Sequence, residues 1–386
     1  MTVAIVGAGA SGLTLAALLQ RAGVSFVVLE VRSRSYVEER QRAGVLDYSA
    51  GQVYVKAGLE EAILGGVPLD DLLEIRYEGS ARFLNVAQLA GGQHSYVVPQ
   101  QLLVRRLIAM LVDSGADIRF GVSGVELHGI DQSRPRVTYL DEHGVPGEIE
   151  CDFVAGCDGF HGVSRTSIPQ EALTTYTFEH DIGWFTVLAD SPAPKHALLA
   201  ISSHGFAAQF ARGPKASRFY LQHRPDAKDR LEDDEWIWTQ LRLRLGDDGL
   251  PAGAITSRDH VEMRSFVVEP ISYGRLFLVG DAAHIITPMG AKGMNLAVVE
   301  AAALAEALVA AQQGDSGRLA SYSATCLHRT WNYQEFSRWM TEMVHDAGDD
   351  SLAGPFRRQL AKARLDRLFT SPPAAAAFAD LMAGIS

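Results

Sequence analysis

The first thirty residues place an apolar run, a glycine-rich turn, a helical pattern and a second apolar run in immediate succession. Gly7, Gly9 and Gly12 form a Gly-x-Gly-x-x-Gly turn between TVAIV and LTLAALLQRAG. In a βαβ unit the first glycine permits the turn, the second lets the backbone approach a pyrophosphate, and the third allows close helix–strand packing. The free N–H groups of the helix N-terminus, at Ala10 and Ser11, suit phosphates. The spacing predicts an α/β, Rossmann-like domain that binds a dinucleotide.

The second apolar run, FVVLE, ends at Glu30. In dinucleotide-binding βαβ units a carboxylate at this position binds ribose hydroxyls. Glycine turns also occur for purely structural reasons, so the prediction depends on the strand, turn, helix and acid together. At this point the dinucleotide is either NAD or FAD.

Composition and charge disfavour several classes of protein. The 386 residues carry a net charge of −11, which disfavours a nucleic-acid binder because phosphate contacts need clustered Lys and Arg. The N-terminus shows no export signal, so we expect a cytoplasmic protein. The apolar tract Leu296–Ala311 contains two glutamates and falls short of a membrane span, which predicts a core helix. Cys151, Cys157 and Cys326 show no metal-ligand spacing, which indicates buried, reduced thiols and no metal site.

Hydrophobic patterning indicates a nucleotide domain that is interrupted by a β-rich region. Short alternating segments between about Phe178 and Glu269 are typical of an antiparallel sheet, and RLFLVGD then returns to the buried-strand pattern of the N-terminus. We expect residues 1–175 and 266–320 to form the nucleotide domain, 176–265 the inserted sheet, and 321–386 a helical region. A hairpin near residues 72–98 is expected to join the inserted sheet.

Five further motifs carry a more specific resemblance. They are QRAGVL (Gln41–Leu46), AGCDGFHGVSR (Ala155–Arg165), RSFVVEP (Arg264–Pro270), GRLFLVGDAAHI (from Gly274) and GAKGMNLA (from Gly290). With the N-terminal turn, they are similar to the 4-hydroxybenzoate 3-hydroxylases, FAD-dependent aromatic hydroxylases of the flavoprotein monooxygenase superfamily. The likeness spans almost the whole chain and weakens beyond about Asp346. It implies a Rossmann-like FAD-binding domain with an inserted antiparallel β-sheet substrate domain and a C-terminal helical region.

The resemblance also implies a mechanism. NAD(P)H reduces FAD, O2 adds to form a flavin hydroperoxide, and the terminal oxygen attacks an electron-rich aromatic ring. In the relatives the flavin moves between an inner hydroxylating position and an outer position that the nicotinamide reaches. The protein positions the ring, excludes water and times the reduction. The expected ligands are therefore FAD, NAD(P)H, O2 and a small aromatic acid.

Family motifs assign the FAD contacts by position. Arg42, Gln100 and Asp281 would contact the phosphates or ribityl chain, and the helix after Gly290 would point its N-terminus at the flavin pyrimidine. Lys292 and Asn295 would lie near the isoalloxazine, and the carbonyl of Pro288 would face the substrate. The expected FAD set is Gly7, Gly9, Ala10, Ser11, Gly12, Glu30, Arg42, Gln100, Asp158, Gly280, Asp281, Pro288, Gly293, Met294 and Asn295. His284, in the same motif, has no role that the sequence indicates.

The nicotinamide cofactor is assigned by the same resemblance. The positions that it implies for NADPH are Arg32, Tyr36, Arg40, His161, Arg165 and Arg264. Arg32 and Arg34 follow the second strand, and a guanidinium fork suits a 2′-phosphate. Solvated surface arginines are the alternative interpretation, so NADPH is expected with NADH as the alternative.

Arg212 and Tyr220 correspond to the pair that binds the substrate carboxylate in the relatives. A guanidinium fork orients an aromatic acid well, whereas the alternative is a surface salt bridge for Arg212 and a core position for Tyr220. Phe210 replaces a serine that also touches the carboxylate in the relatives. The expected catalytic set is Pro288, Arg212, Tyr220 and Lys292, and the expected substrate set is Arg212, Tyr220, Phe210, Ala200, Pro288 and Met289.

The proton relay of the relatives is absent from the aligned positions. Ala200, or a neighbour if the one-residue gap moves, replaces the first tyrosine, Met382 falls near the second, and Asp70 replaces the histidine. A phenol with a pKa of about 10 needs deprotonation to become a good nucleophile. We therefore expect a ring that is activated in another way, for example by an amino group, or a larger hydroxybenzoate-like acid. Met289 also indicates an altered pocket.

Three other functions remain open from the sequence. One is ordinary 4-hydroxybenzoate 3-hydroxylation. Another is flavin-dependent halogenation, because Trp236-Ile237-Trp238 resembles part of the halogenase signature but lacks its trailing Ile-Pro. A third is FAD-dependent regulation without turnover. The chain could be a monomer or a homodimer, and no nucleic acid or membrane partner is expected.

Overall fold

The apolar run at the N-terminus forms the first strand of a parallel sheet. The structure, a computed structural model, describes residues 1–40, 44–213, 215–346 and 354–385. The strands in chain order are β1 (Thr2–Val6), β2 (Ser25–Glu30), β3 (Leu69–Asp70), β4 (Leu72–Tyr77), β5 (Ser80–Asn85), β6 (Ser95–Tyr96), β7 (Ile118–Phe120), β8 (Ser123–His128), β9 (Arg136–Leu140), β10 (Pro146–Glu150), β11 (Phe153–Gly156), β12 (Thr174–Ala189), β13 (Ala197–Ser202), β14 (Gly205–Ala211), β15 (Ser217–His223), β16 (Ile255–Glu269), β17 (Ser272–Tyr273), β18 (Leu276–Leu278) and β19 (His284–Ile285).

The α-helices cover the sheets and form the C-terminal region. They are α1 (Ala10–Arg21), α2 (Arg34–Glu39), α3 (Tyr48–Lys56), α4 (Glu60–Leu64), α5 (Val86–Leu89), α6 (Gln100–Asp113), α7 (Val163–Thr166), α8 (Asp234–Leu245), α9 (Lys292–Gln312), α10 (Gly317–His345), α11 (Gly354–Thr370) and α12 (Pro372–Ala383). Short 3-10 helices cover Gln170–Ala172, Pro225–Glu232, Gly280–Ala282 and Pro288–Gly290.

The predicted βαβ unit is confirmed by β1, α1 and β2. β1 pairs in parallel with β2 and with β11, in a sheet of order β17-β18-β11-β1-β2-β7. Val3, Ala4 and Ile5 are fully buried in a core that this sheet shares with helices such as α1 and α9 and with strands β8, β9 and β10. The turns after β1, β11 and β18 therefore meet at the carboxyl edge of the sheet, where open α/β sheets bind ligands.

The predicted antiparallel sheet is confirmed as an eight-stranded sheet of order β19-β16-β12-β15-β14-β13-β4-β5. Its neighbouring strands are antiparallel except for β13 and β4, which run parallel. The hairpin of β4 and β5 forms one edge of this sheet. The exact division of the chain into domains at residues 175, 265 and 320 stays a prediction.

The two faces of the eight-stranded sheet pack against different partners. One face packs on α8 through a core that contains Phe185, Ala200, Phe219, Ile237 and Trp238. The other face packs against residues of α10, α11 and α12, and it carries Trp184, Leu199, Ile201, Phe206 and Ala208. Successive side chains of a strand point to opposite faces, so each inward position belongs to one of these two cores. We call the second face the pocket face.

Helix α9 is the core helix that its apolar sequence predicts. Val298, Ala301, Leu304 and Leu308 are fully buried. By length and composition α9 is the one helix among the described residues that could cross a membrane, but 61% of its most apolar window is buried inside the fold. The three cysteines are free and buried, as predicted.

Candidate active site

The glycine turn after β1 shows why each of its glycines is needed. A Cβ on Gly7, whose φ is +106°, would lie 2.3 Å from the carbonyl oxygen of Cys157, and a Cβ on Gly12 would lie 2.0 Å from that of Gly7. A Cβ on Gly9 would meet nothing within 4 Å. Two glycines are therefore required by the packing of the protein itself. Gly9 instead leaves open space beside the N-terminus of α1, where a pyrophosphate fits.

Glu30 is held at the end of β2 by backbone donors. Its Oε2 accepts the N–H of Ala8 at 2.7 Å, and its Oε1 accepts the N–H of Arg32 at 2.8 Å. A carboxylate has about four acceptor sites, so both oxygens can still accept ribose hydroxyls. The turn, the helix N-terminus and this acid together fit the adenosine diphosphate half of FAD.

The Gly280–Asp281 turn lies against the first helix. A Cβ on Gly280, whose φ is +64°, would lie 2.9 Å from the Cβ of Ala297 and 3.7 Å from the hydroxyl of Ser11. The fold thus brings the turn after β18, which contains Asp281, close to the first turn of α1. The contact of Asp281 with FAD stays a prediction. Asp158, after β11, accepts the N–H of Ser164 at 2.8 Å and so stabilises its own loop.

His284, which had no role in the sequence, stabilises this turn through Glu300. The Nε2 of His284 lies 2.7 Å from Oε1 of Glu300, and Oε2 of Glu300 accepts the N–H of Gly280 at 2.8 Å. Burial alone would lower the pKa of His284, but the adjacent Glu300 carboxylate outweighs it and raises that pKa above its ordinary value. A glutamate within the apolar α9 was the available sequence signal for this pair.

A short segment, residues 44–47, joins the two halves of the site. The backbone N–H of Asp47 donates to Oδ1 of Asn295 at 3.0 Å, and Nδ2 of Asn295 lies 3.3 Å from the carbonyl oxygen of Val45. At the other end, a Cβ on Gly44 would lie 2.9 Å from Nη2 of Arg212. The segment therefore runs from the first turn of α9 to the predicted substrate anchor. Arg42 lies outside the described residues.

The ammonium of Lys292 forms its hydrogen bonds within the protein. It donates to Oδ2 of Asp47 at 2.7 Å and to the carbonyl of Met382 at 2.8 Å, and it lies 5.1 Å from the ring centre of Tyr333. Burial lowers the pKa of Lys292, and Asp47 opposes this shift. This side chain thus acts on segment 44–47, whereas the sequence placed it near the isoalloxazine.

The first turn of α9 offers backbone N–H groups near segment 44–47. Ala291, the N-cap residue, has φ +52° and makes no side-chain capping bond, so Lys292, Gly293 and Met294 begin the helix with unfilled donors. A helix N-terminus stabilises negative charge. The carbonyl of Pro288 accepts the N–H of Ala291 at 3.0 Å, and its second lone pair can still accept another donor. Gln100 is the half-buried first residue of α6.

Arg212 and Tyr220 come together on the pocket face. Partial burial lowers the pKa of Arg212, and the adjacent Tyr220 opposes this shift. The Arg212 guanidinium donates from Nη1 to the carbonyl oxygen of Ala211 at 2.9 Å. The groups that act on this pKa are Tyr220 and Arg218 and include no carboxylate, so the alternative of a salt bridge is not seen among the described residues. The Phe210 ring lies edge-on to Tyr220 with 5.6 Å between ring centres. A half-buried cation beside a hydroxyl suits an anionic ligand.

Ala200 does not line this pocket, which corrects the predicted substrate set. It is fully buried on the opposite face, in the core with α8, whereas Leu199 and Ile201 lie on the pocket face. Side chains alternate along a strand, so an alignment gap misplaced by one residue moves a position to the other face. Leu199 and Ile201, on either side of Ala200, are therefore the β13 residues on the pocket face. Met289 belongs to the same pocket-face core, and its contact with a substrate stays a prediction.

The sequence missed three pocket-face residues. Arg218, two residues before Tyr220 on β15, donates to Oγ1 of Thr186 at 3.3 Å. The Nε1 of Trp184 donates to Nε2 of His345 at 2.8 Å, and Nδ1 of His345 lies 2.7 Å from the Thr341 carbonyl. Burial lowers the pKa of His345 to about 3, so the ring is neutral and donates through Nδ1. Strand alternation was the signal for Arg218, but none pointed to His345.

Met382 and Asp70 are the other two residues that the sequence comparison placed at relay positions. Met382 is partly buried against the pocket-face core. Burial and Asp71 raise the pKa of Asp70 to about 6, while His196 opposes this shift. Asp71 in turn lies 2.6 Å from Nδ1 of His94. The position of the relay histidine therefore carries an acid that titrates near neutral pH.

The predicted NADPH residues form two groups. The guanidinium carbons of Arg165 and Arg264 lie 4.5 and 4.1 Å from the ring centre of Phe160, which contacts His161. Arg32 and Arg40 lie 5.0 and 5.9 Å from the ring centre of Tyr36. The first group lies at the loop after β11 and the second after β2. Arg34 instead pairs with Glu38 at 2.6 Å on the surface.

The tryptophans that resemble a halogenase signature are structural. Ile237 and Trp238 are buried in the core beneath the face opposite the pocket, and Trp236 packs on its edge. They therefore lie on the far side of the sheet from Arg212.

A Rossmann-like dinucleotide site that shares segment 44–47 with a half-buried cationic side chain suited to an anionic ligand defines a flavoprotein of the aromatic monooxygenase class. Residues 1–337 match the family model described as the FAD binding domain. The chain is 35% identical to a p-hydroxybenzoate hydroxylase of Acinetobacter baylyi, covering 99% of this chain and 95% of the relative. It therefore belongs to the family of FAD-dependent aromatic hydroxylases related to p-hydroxybenzoate hydroxylase.

Two other relatives bear on the fold and the cofactor. The p-nitrophenol 4-monooxygenase PnpA from Pseudomonas putida DLL-E4 superposes with a TM-score of 0.84 at 20% identity, covering 100% of this chain and 99% of that one, which supports the fold. A probable NADH-specific resorcinol 4-hydroxylase of Rhodococcus jostii is 26% identical, covering 78% of this chain and 58% of the relative.

Proposed function

We propose that this enzyme uses NADPH and FAD to hydroxylate an aromatic carboxylic acid of the hydroxybenzoate type that carries an activating substituent. The observation that supports this most strongly is the half-buried guanidinium of Arg212, which lies near Tyr220 and has no carboxylate among the groups that act on its pKa. Bound FAD supplies the chemistry, because once reduced by NADPH it activates O2 to transfer one oxygen atom to the ring.

The protein's own residues hold and orient the acid. Arg212 binds the carboxylate through its planar fork and Tyr220 adds a hydroxyl, so the ring is fixed in direction as well as in position. Phe210, Leu199 and Ile201 surround the ring with apolar surface and exclude water. The open carbonyl lone pair of Pro288 is an acceptor for a ring substituent.

The pocket favours a ring that does not depend on a relay for activation. Leu199 and Ile201 carry no proton donor or acceptor, and the neutral His345 is committed to Trp184. A phenol in such a pocket keeps its proton, whereas an amino group donates electrons to the ring without losing one. An aminobenzoate or amino-substituted hydroxybenzoate is therefore the proposed substrate class.

The argument for NADPH comes from charge. Arg165 and Arg264 share the face of Phe160, and Arg32 and Arg40 share that of Tyr36, so each group can meet phosphate oxygens. The NADH-specific relative keeps NADH as the alternative. We further propose that the enzyme acts in the cytoplasm, where NADPH is available.

The experiment is a panel of hydroxy- and aminobenzoates, tested for acceleration of flavin reduction and for product. We expect amino-substituted acids to give the highest kcat/KM and tightly coupled hydroxylation with NADPH. The substrate proposal is wrong if plain 4-hydroxybenzoate gives fully coupled 3-hydroxylation at the best kcat/KM.

Ordinary 4-hydroxybenzoate 3-hydroxylation is the second candidate, because a relative of that activity is 35% identical over nearly the whole chain. The same panel decides between the two. A halogenase would make chloride-dependent product, and a regulator would bind the acid without faster reduction of its flavin.

A further inference from the structure

We propose that the carboxyl end of α12 is a positioning element of the flavin site, acting through Lys292 and Asp47. The inference rests on the proposed FAD site at the first turn of α9. The family match covers residues 1–337, so α12 lies beyond it and reaches back to a residue within it.

The first observation is that Lys292 is 1% exposed and has two acceptors from different parts of the chain. Asp47 supplies a carboxylate at 2.7 Å, and α12 supplies the carbonyl of Met382 at 2.8 Å. The last carbonyls of a helix have no intrahelical partner and carry the negative end of its dipole, so they suit a buried ammonium. A buried cation with one acceptor removed would be costly.

The second observation is the close approach of Gly384 to Asp47. Gly384 follows α12 with φ +80°, and a Cβ there would lie 2.7 Å from Oδ2 and 2.8 Å from Oδ1 of Asp47. A larger residue would therefore push the carboxylate away from Lys292. The glycine is needed for this contact as well as for the helix end.

Asp47 passes this constraint to the site. Its Oδ1 accepts the N–H of Ala50 and so caps α3, while its own N–H donates to Asn295 in the first turn of α9. Segment 44–47 continues from there to Arg212. Moving Asp47 thus shifts the strip of backbone between α9 and the substrate anchor.

The test exploits a matched pair of glycines. Gly144, in a turn between β9 and β10, has φ +78°, nearly the same as Gly384, but a Cβ there would meet nothing within 4 Å. Asparagine tolerates the left-handed region, so Gly384→Asn and Gly144→Asn share the same backbone cost and differ only in the contact with Asp47. Circular dichroism of each apoprotein checks that it folds, and Gly384→Ala with Gly144→Ala repeats the comparison with a smaller side chain.

FAD affinity is measured by titrating the apoproteins and following the quenching of flavin fluorescence. We expect Gly384→Asn to raise the Kd for FAD at least about tenfold, as overpacking at a buried contact does, and Gly144→Asn to stay within about twofold of the wild type. In a Lys292→Met background the Gly384→Asn change should lose most of its effect, because the two residues act through one ion pair.

The proposal is overturned if Gly384→Asn and Gly384→Ala bind FAD like the wild type, or if Gly384→Asn weakens FAD equally with and without Lys292. A wild-type apoprotein that binds no FAD would instead contradict the proposed function, so the two failures are distinguishable.

Discussion

The FAD side of this site is built mainly from backbone in short motifs, whereas the substrate side is built from side chains on several strands of the eight-stranded sheet. Gly7, Gly9 and Gly12 lie within six residues, and close approaches of the main chain require two of them, Gly7 and Gly12. Arg212 and Tyr220 depend on which face of a strand each one occupies. A backbone site follows directly from a spacing, but a side-chain site needs the register of every strand around it.

The largest effect is expected on the backbone side, at Gly12. The Gly12→Ala change places a Cβ 2.0 Å from the Gly7 carbonyl oxygen, so we expect an apoprotein that binds no FAD. Gly9→Ala meets no protein atom within 4 Å and should melt like the wild-type apoprotein while still binding FAD poorly. Flavin absorbance after purification and apoprotein melting measure the two effects. Full flavin content in Gly12→Ala would contradict the claim that close approaches of the main chain define the FAD side.

The next effect is expected at Arg212. Arg212→Gln removes a charged hydrogen-bonding fork worth about 2–3 kcal/mol, which corresponds to a KM for the acid about 30- to 150-fold higher. The Kd for FAD should stay unchanged, since the contact belongs to the other region. Arg136→Gln, which alters an exposed ion pair with Glu148, is the control and should change neither. An unchanged KM in Arg212→Gln would show that the anchor lies elsewhere.

The two faces of β13 give a sharper test of register. Ala200→Val should destabilise the protein by about 1–3 kcal/mol, because it overpacks the core against α8, and should leave the KM unchanged. Ile201→Val, one residue away on the pocket face, should instead change the KM or the coupling with little loss of stability. Urea unfolding and steady-state kinetics separate the outcomes. If Ala200→Val changed the KM and Ile201→Val did not, Ala200 would line the pocket, as the sequence comparison first placed it.

The smallest effect concerns the pH dependence of stability. His345 has a folded pKa of about 3, well below its ordinary 6.5, because it is buried. The contribution of His345 to the free energy of unfolding is therefore fully present above pH 6.5. It is lost as the pH falls, because the unfolded chain takes up the proton first. We expect about 1 kcal/mol less of this contribution at pH 5.5 than at pH 6.5. In His345→Leu the free energy of unfolding should fall less steeply over that interval, and an equal slope would show that His345 is solvated.

The sequence predicted the Rossmann-like fold and the FAD-binding family because their signals are local. Glu30 follows the glycine turn at a fixed distance, and the Gly280–Asp281 turn lies between a buried strand and an apolar helix. Contacts across long separations were not predictable in this way. His284 and Glu300, or Lys292 and Asp47, meet only because the sheet and helices bring them together. A single sequence does not reveal such pairs.

On the substrate side, the structure brings the two proposed anchor residues together, but the sequence did not predict the residues around them. Arg212 and Tyr220 stand in recognisable segments, so the fold could place both on one face. Ala200 was misplaced because a gap of one residue reverses the face of a strand. Trp184 and His345 lie 161 residues apart, and no local pattern joins an indole N–H to an imidazole on a distant helix.

The most direct test of the account is turnover under ¹⁸O2 with NADPH and an aminobenzoate or amino-substituted hydroxybenzoate, compared with the matching carboxamide. The account predicts one labelled oxygen atom, as a hydroxyl group on the ring of the product, for each NADPH consumed. It also predicts little turnover of the carboxamide, because a neutral amide cannot form an ion pair with Arg212. Hydrogen peroxide equal to the NADPH consumed, with no labelled product from any acid of the panel, would contradict it.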